Sequence, residues 1–270
     1  MVTAPTNFFC NFKVMSSLRA EQKIHYTLRI AIAMCFIGHG AFGIITKEIW
    51  THYFALFGIG RAQAYRFMPL VGTVDILLGI LMLIRPMRAI AGWLVIWGLI
   101  TAALRPLSGE PFAELIERGG NFGAPLAFLL LSSGMGWWKK VRPRDSGHLP
   151  QVAICLRIAG FLLLTGHGWL NLVGKKGLID QYTGLGFAHP ENVALWVGVF
   201  EVTAAVSLLI KPLRSLLFVL ILWKMGTELF YPHYEIFEWI ERGGSYGVLL
   251  ALWFITKERS IRPGYISLAT

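Results

Sequence analysis

Two histidines stand where an apolar run has little reason to hold a titratable ring. Residues 36–47 read FIGHGAFGIITK and residues 161–175 read FLLLTGHGWLNLVGK, placing Gly38-His39-Gly40 and Gly166-His167-Gly168 in matching settings. A lysine, Lys47 or Lys175, follows eight residues after each histidine. The next apolar run after each is interrupted by a single acid, Asp75 or Glu201. A carboxylate beside an imidazole can exchange protons with it, hold one tautomer, or join it in hydrogen-bonding the polar head of a ligand such as a quinone. These four residues are the candidate catalytic groups, as two proton-exchanging pairs.

A second polar set follows in each half. Glu114, Glu117, Arg118 and Asn121 are spaced to share one helix face, and Glu238, Glu241, Arg242 and Ser245 repeat the pattern. Lys224 and Glu228, four residues apart, add charges where the first half has Gly98 and Ala102. Glu117, Arg118, Asn121, Lys224, Glu228, Glu241 and Arg242 are therefore candidate ligand-binding residues. Packing accounts for the same residues in another way. Gly-His-Gly suits a close helix crossing, and Glu114–Arg118, Glu238–Arg242 and Lys224–Glu228 suit pairs that neutralise each other. Trp50, Trp137 and Trp138 suit interfacial anchors.

The elements that would carry these residues follow from composition. Of 270 residues, 55% are hydrophobic and 15% charged, and mean hydropathy is +0.58. Soluble domains carry about 25% charged residues, so the chain reads as an all-α membrane protein. Eight apolar stretches approach the roughly 20 residues that cross a bilayer, at about 27–46, 67–84, 89–106, 119–137, 151–172, 193–210, 213–230 and 241–256. Helices are expected because lipid offers backbone groups no partners.

The net charge of +10 is a topology signal, not a nucleic-acid one. Arg85 and Arg88, then Lys139, Lys140, Arg142 and Arg144, then Lys211 and Arg214, occupy alternate loops, and Lys257, Arg259 and Arg262 follow the last span. Most acids lie in the other loops. The positive-inside rule places both termini in the cytoplasm. Residues 1–26 show no cleavable signal peptide. Cys10, Cys35 and Cys155 form no C-x-x-C, and the last two differ in expected depth, so neither a disulfide nor a dithiol relay is expected. With no metal-ligand motif, no Walker loop and no dinucleotide fingerprint, a metal centre, ATP-driven transport and dehydrogenase chemistry within this chain are not expected.

The chain also repeats itself. An offset of 128 pairs Leu28-Arg29-Ile30-Ala31 with Leu156-Arg157-Ile158-Ala159 and His39 with His167. An offset of 126 pairs Asp75 with Glu201, Trp97 with Trp223 and Pro106 with Pro232. An offset of 124 pairs Ile116-Glu117-Arg118-Gly119-Gly120 with Ile240-Glu241-Arg242-Gly243-Gly244. Four spans per copy give both copies one orientation, hence two parallel-repeat four-helix bundles, N-in/C-in, related by an axis along the membrane normal. The expected division is a cytoplasmic tail (1–26), a first unit (27–137), a basic linker (138–150), a second unit (151–256) and a second cytoplasmic tail (257–270). Helical rise then puts His39 about 10 Å and Asp75 about 12 Å below the outer surface.

A four-span unit with a glycine-rich first helix, a lysine at its outer end, an acid in the second helix and an Arg-Gly-Gly start to the fourth resembles the DoxX/DoxD-like integral membrane family. The resemblance covers nearly the whole chain, as two tandem units. It implies the bacterial inner membrane and a redox association, since that family includes the membrane subunit of thiosulfate:quinone oxidoreductase. Gly-His-Gly and the tandem fusion are departures from that family's pattern. Three functions stay open from sequence. The first is a quinone-interacting subunit of a redox complex with protein partners, haem being an alternative cofactor if the two histidines face each other. The second is a proton-coupled small-molecule transporter, although no broken helix is evident. The third is a non-catalytic scaffold for a partner protein.

Overall fold

A computed structural model of the chain describes residues 18–143, 147–230 and 236–261, with side chains to residue 256. Most of both expected tails, Arg144 of the linker and Pro232 of the repeat alignment lie outside the described residues. Twelve helices account for the described secondary structure. They are α1 (Ala20–Ile44), α2 (Trp50–Ala55), α3 (Arg61–Ile84), α4 (Arg88–Leu107), α5 (Ala113–Glu117) and α6 (Gly119–Leu131). Then come α7 (Leu149–Leu172), α8 (Lys176–Gly184), α9 (Pro190–Ile210), α10 (Arg214–Glu228), α11 (Ile236–Glu241) and α12 (Gly243–Ile261).

Five of these, α1, α3, α4, α7 and α9, are long and apolar enough to cross a membrane. The chain is a multi-pass membrane protein in that sense. The other expected spans are shorter or more polar. The fourth is divided at Arg118 into α5 and the 13-residue α6, and α6 alone reaches only about 20 Å at helical rise. Helix α10 has 15 residues. α1 begins at Ala20, inside the stretch read from sequence as a tail.

Local chemistry sets the ends. Pro150 and Pro190 sit in the first turns of α7 and α9, where a missing N–H costs nothing. Pro69 lies within α3, and Thr73 donates its hydroxyl to the Pro69 carbonyl at 2.7 Å. The last carbonyls of α3 and α9 are each held by an arginine. Arg29 donates to Met82 O at 3.2 Å and to Leu83 O, and Arg157 donates to Ile210 O at 2.8 Å and to Leu209 O. Each arginine thus ties α1 to α3, or α7 to α9, by satisfying carbonyls a helix end leaves open.

Burial separates central from peripheral helices. The apolar stretch of α1 is 61% buried and that of α7 44%, against 28% for α3 and α4. α1 packs on α3 but also on α11 and α12. α7 packs on α9 but also on α5 and α6. The shared core includes Ile24, Leu28, Leu94, Phe128, Leu156, Leu164, Leu217 and Leu252. Large apolar side chains on the peripheral helices, among them Leu70, Ile84, Trp196, Ile210 and Leu222, point outward. An apolar surface of that extent suits lipid, not water.

Candidate functional site

The glycines beside each histidine have separate tasks. A methyl group on Gly38 would come within 2.9 Å of the Phe237 carbonyl on α11, and one on Gly166 within 2.8 Å of the Ala113 carbonyl on α5. On the other side, Gly40 lies against Gly72 and Ile76 of α3, and Gly168 against Gly198 and Val202 of α9. One glycine admits a fourth-segment helix from the other half of the chain, and the next admits the second helix of its own half. The histidine between them is left at the junction of three helices.

That junction brings the predicted pairs together. His39 Nδ1 and Asp75 Oδ2 are 2.7 Å apart, with Asp75 buried and the imidazole 15% exposed. His167 Nδ1 is hydrogen-bonded to Glu201 Oε2. From there the two halves differ. Glu201 also accepts from Trp223 Nε1 at 3.0 Å and lies 3.8 Å from Lys224 Nζ, which is 3.3 Å from Glu228. Asn171 approaches His167 Nδ1 at 3.2 Å and accepts from the Tyr182 hydroxyl at 2.7 Å. Around His39 the corresponding positions are Gly98, Ala102, Gly43 and Phe54, and the Trp50 ring lies 4.7 Å from the imidazole.

The fourth segments carry a buried charge band. Arg118 reaches Glu114 at 2.8 Å and Glu117 at 3.1 Å. Arg242 crosses to Glu117 at 2.9 Å and lies 3.7 Å from Glu228. The expected Glu238–Arg242 pair does not form. Arg242 instead reaches Glu117, and Glu238 pairs with Lys47. In the other half Lys175 pairs with Glu114, which Arg105 also approaches at 3.4 Å. The lysine after each histidine therefore clamps the opposite half's fourth segment. Among the described residues, eight carboxylates (Asp75, Glu110, Glu114, Glu117, Glu201, Glu228, Glu238, Glu241) share this band with six permanent cations (Lys47, Arg105, Arg118, Lys175, Lys224, Arg242).

The outcome is one open site and one nearly closed. A cavity of about 180 Å³ is lined by His39, Trp50, Tyr53, Trp97, Arg118 and Glu241, among others. Its counterpart beside His167, bordered by Glu117, Tyr182, Trp223, Glu228 and Arg242, holds about 20 Å³, little more than the room one water needs. His39 and His167 line different cavities. Asn121 lines the open cavity as expected, whereas Ser245 meets the Gly120 backbone.

Several functional residues escaped the sequence reading. Trp50, taken there as an interfacial anchor, is buried against His39, while Trp137 and Trp138 are exposed. Tyr53, in the short helix α2, donates to Glu110 at 2.5 Å. Burial raises its phenol above the ordinary tyrosine range, which keeps the proton on it for that bond. Only the Trp97–Trp223 match in the repeat hinted that α4 contributes. The fourth segments are also interrupted at Arg118 and Arg242, each just before a Gly-Gly pair. No family model, curated protein or solved structure matches the chain.

Proposed function

We propose that this is an eight-span, N-in/C-in protein of the bacterial inner membrane, built from two parallel DoxX-like units, that binds one small ring-headed ligand in its first unit. Its role is that of a quinone-interacting subunit of a redox complex, with partner proteins handling the electrons. The observation that carries this reading is His39, paired behind with buried Asp75, on the wall of an aromatic cavity of about 180 Å³. An apolar cavity with a few convergent polar groups is the ordinary form of a small-molecule site. His39 would give or take a proton at the ring's oxygen, while Asp75 fixes the imidazole's orientation. The His167–Glu201 pair, enclosed by Lys224 and Glu228, holds the second unit together.

The test is a titration of the purified protein with a benzoquinone bearing a ten-carbon tail, followed by tryptophan fluorescence. Saturable quenching is expected, with affinity falling by roughly tenfold or more in Val71→Trp, which fills the cavity. Absence of saturation in the parent protein, or unchanged affinity in Val71→Trp, sinks the reading.

The interruptions at Arg118 and Arg242 favour a second reading, a proton-coupled transporter, because discontinuous helices often frame transport sites. Proteoliposomes enclosing a pH-sensitive dye would show solute-driven proton entry that Asp75→Asn abolishes. No entry with any small solute tried removes this reading.

A further inference from the structure

Among the described acids of the fourth segments, Glu241 is the one without a direct hydrogen bond or ion pair, although Arg118 and Arg242 lie near enough to act on it. It is 4% exposed, lines the open cavity, and makes no hydrogen bond or ion pair with a side chain among the described residues. Its counterpart Glu117 is held by both Arg118 and Arg242. Of the cations around it, Arg118 pairs with Glu114 and Glu117, Arg105 with Glu110 and Glu114, and Arg242 with Glu117 and Glu228, its Nε making no hydrogen bond. A buried carboxylate without a donor is costly. A second uncommitted group belongs to the same cavity. Trp97 Nε1 is buried with no acceptor, whereas Trp223 Nε1 reaches Glu201. Asp75 is one methylene shorter than Glu201 and does not extend to its tryptophan.

The cavity thus offers Glu241 as an acceptor and Trp97 as a donor, beside the Asn121 amide, which also makes no side-chain hydrogen bond among the described residues. An anionic head would meet Glu241, and an ammonium head would meet Arg105 and Arg118 in the same wall. A neutral hydroxyl both donates and accepts. We infer that the site selects the reduced, dihydroxy form of an aromatic ring over its dione, one hydroxyl donating to Glu241 and the other oxygen accepting from Trp97. This rests on the ring-binding reading above and adds the redox state of the ligand and the residue that chooses it. A dione carries acceptors only and leaves Glu241 without a donor.

The experiment compares a tailed benzoquinol, kept reduced without oxygen, with the matching benzoquinone on the full chain in detergent. The parent protein is expected to prefer the quinol by roughly tenfold to a hundredfold, as a hydrogen bond to a charged group warrants. Glu241→Met should bring the two forms level. Glu241→Gln, whose amide also donates, should raise quinone affinity toward that of quinol, which shows the site intact. Trp97→Phe should weaken both forms and leave their ratio. Equal affinities in the parent protein, or full quinol preference in Glu241→Met, overturn the inference while the ring-binding reading stands. Binding of neither form removes both.

Discussion

Around His167 the polar groups find one another: Glu201 takes the imidazole and the Trp223 indole, Lys224 lies between Glu201 and Glu228, and Tyr182 reaches Asn171. Around His39 a cavity remains, lined by Trp97, whose Nε1 has no acceptor, and by Glu241, which makes no side-chain hydrogen bond among the described residues. The difference comes down to a few positions. Gly98, Ala102, Gly43 and Phe54 stand where the second half has Lys224, Glu228, Asn171 and Tyr182. A small set of side chains decides whether a helix junction is filled or leaves a cavity.

That contrast can be broken from either side. The largest effect is expected from Arg242→Ala, which strands Glu117 and Glu228 in the interior, and thermal unfolding in detergent should register a loss of about 3–5 kcal/mol. A loss below 1 kcal/mol would mean the band is not a structural unit. Next comes Trp223→Phe, which removes a hydrogen bond to buried Glu201 and should cost about 1.5–3 kcal/mol by the same measurement. Gly166→Ala and Gly38→Ala should each cost about 1–3 kcal/mol through overpacking. If only one of them destabilises, the two crossings are not equivalent. The smallest effect is expected from Trp97→Phe, within about 0.5 kcal/mol of the parent. A loss matching that of Trp223→Phe would give Trp97 a partner and erase the asymmetry.

Much of the arrangement was legible in the residues. His39 and Asp75 were expected at nearly one depth, and they meet at 2.7 Å. Lys224 and Glu228, four apart, were expected to neutralise each other and lie 3.3 Å apart. The Glu238–Arg242 pair was misread because i,i+4 spacing says nothing of competing partners from other helices: Lys47 takes Glu238, and Glu117 and Glu228 take Arg242, whereas Glu114–Arg118 forms at the same spacing. Trp50 was misread because a tryptophan at a helix end looks the same whether it faces lipid headgroups or folds back over a histidine.

The sequence alone determined that apolar helices dominate, that Gly-His-Gly occurs twice, and that each copy is followed by an acid and an Arg-Gly-Gly. Those features depend on composition, periodicity and spacing, which are local. Only the tertiary structure decided that Arg242 serves Glu117, that Lys47 and Lys175 clamp the opposite half, and that one junction is open while the other is filled. Such partnerships join residues 61 to 191 positions apart. They depend on how closely helices approach, and a single glycine or a single methylene changes that distance.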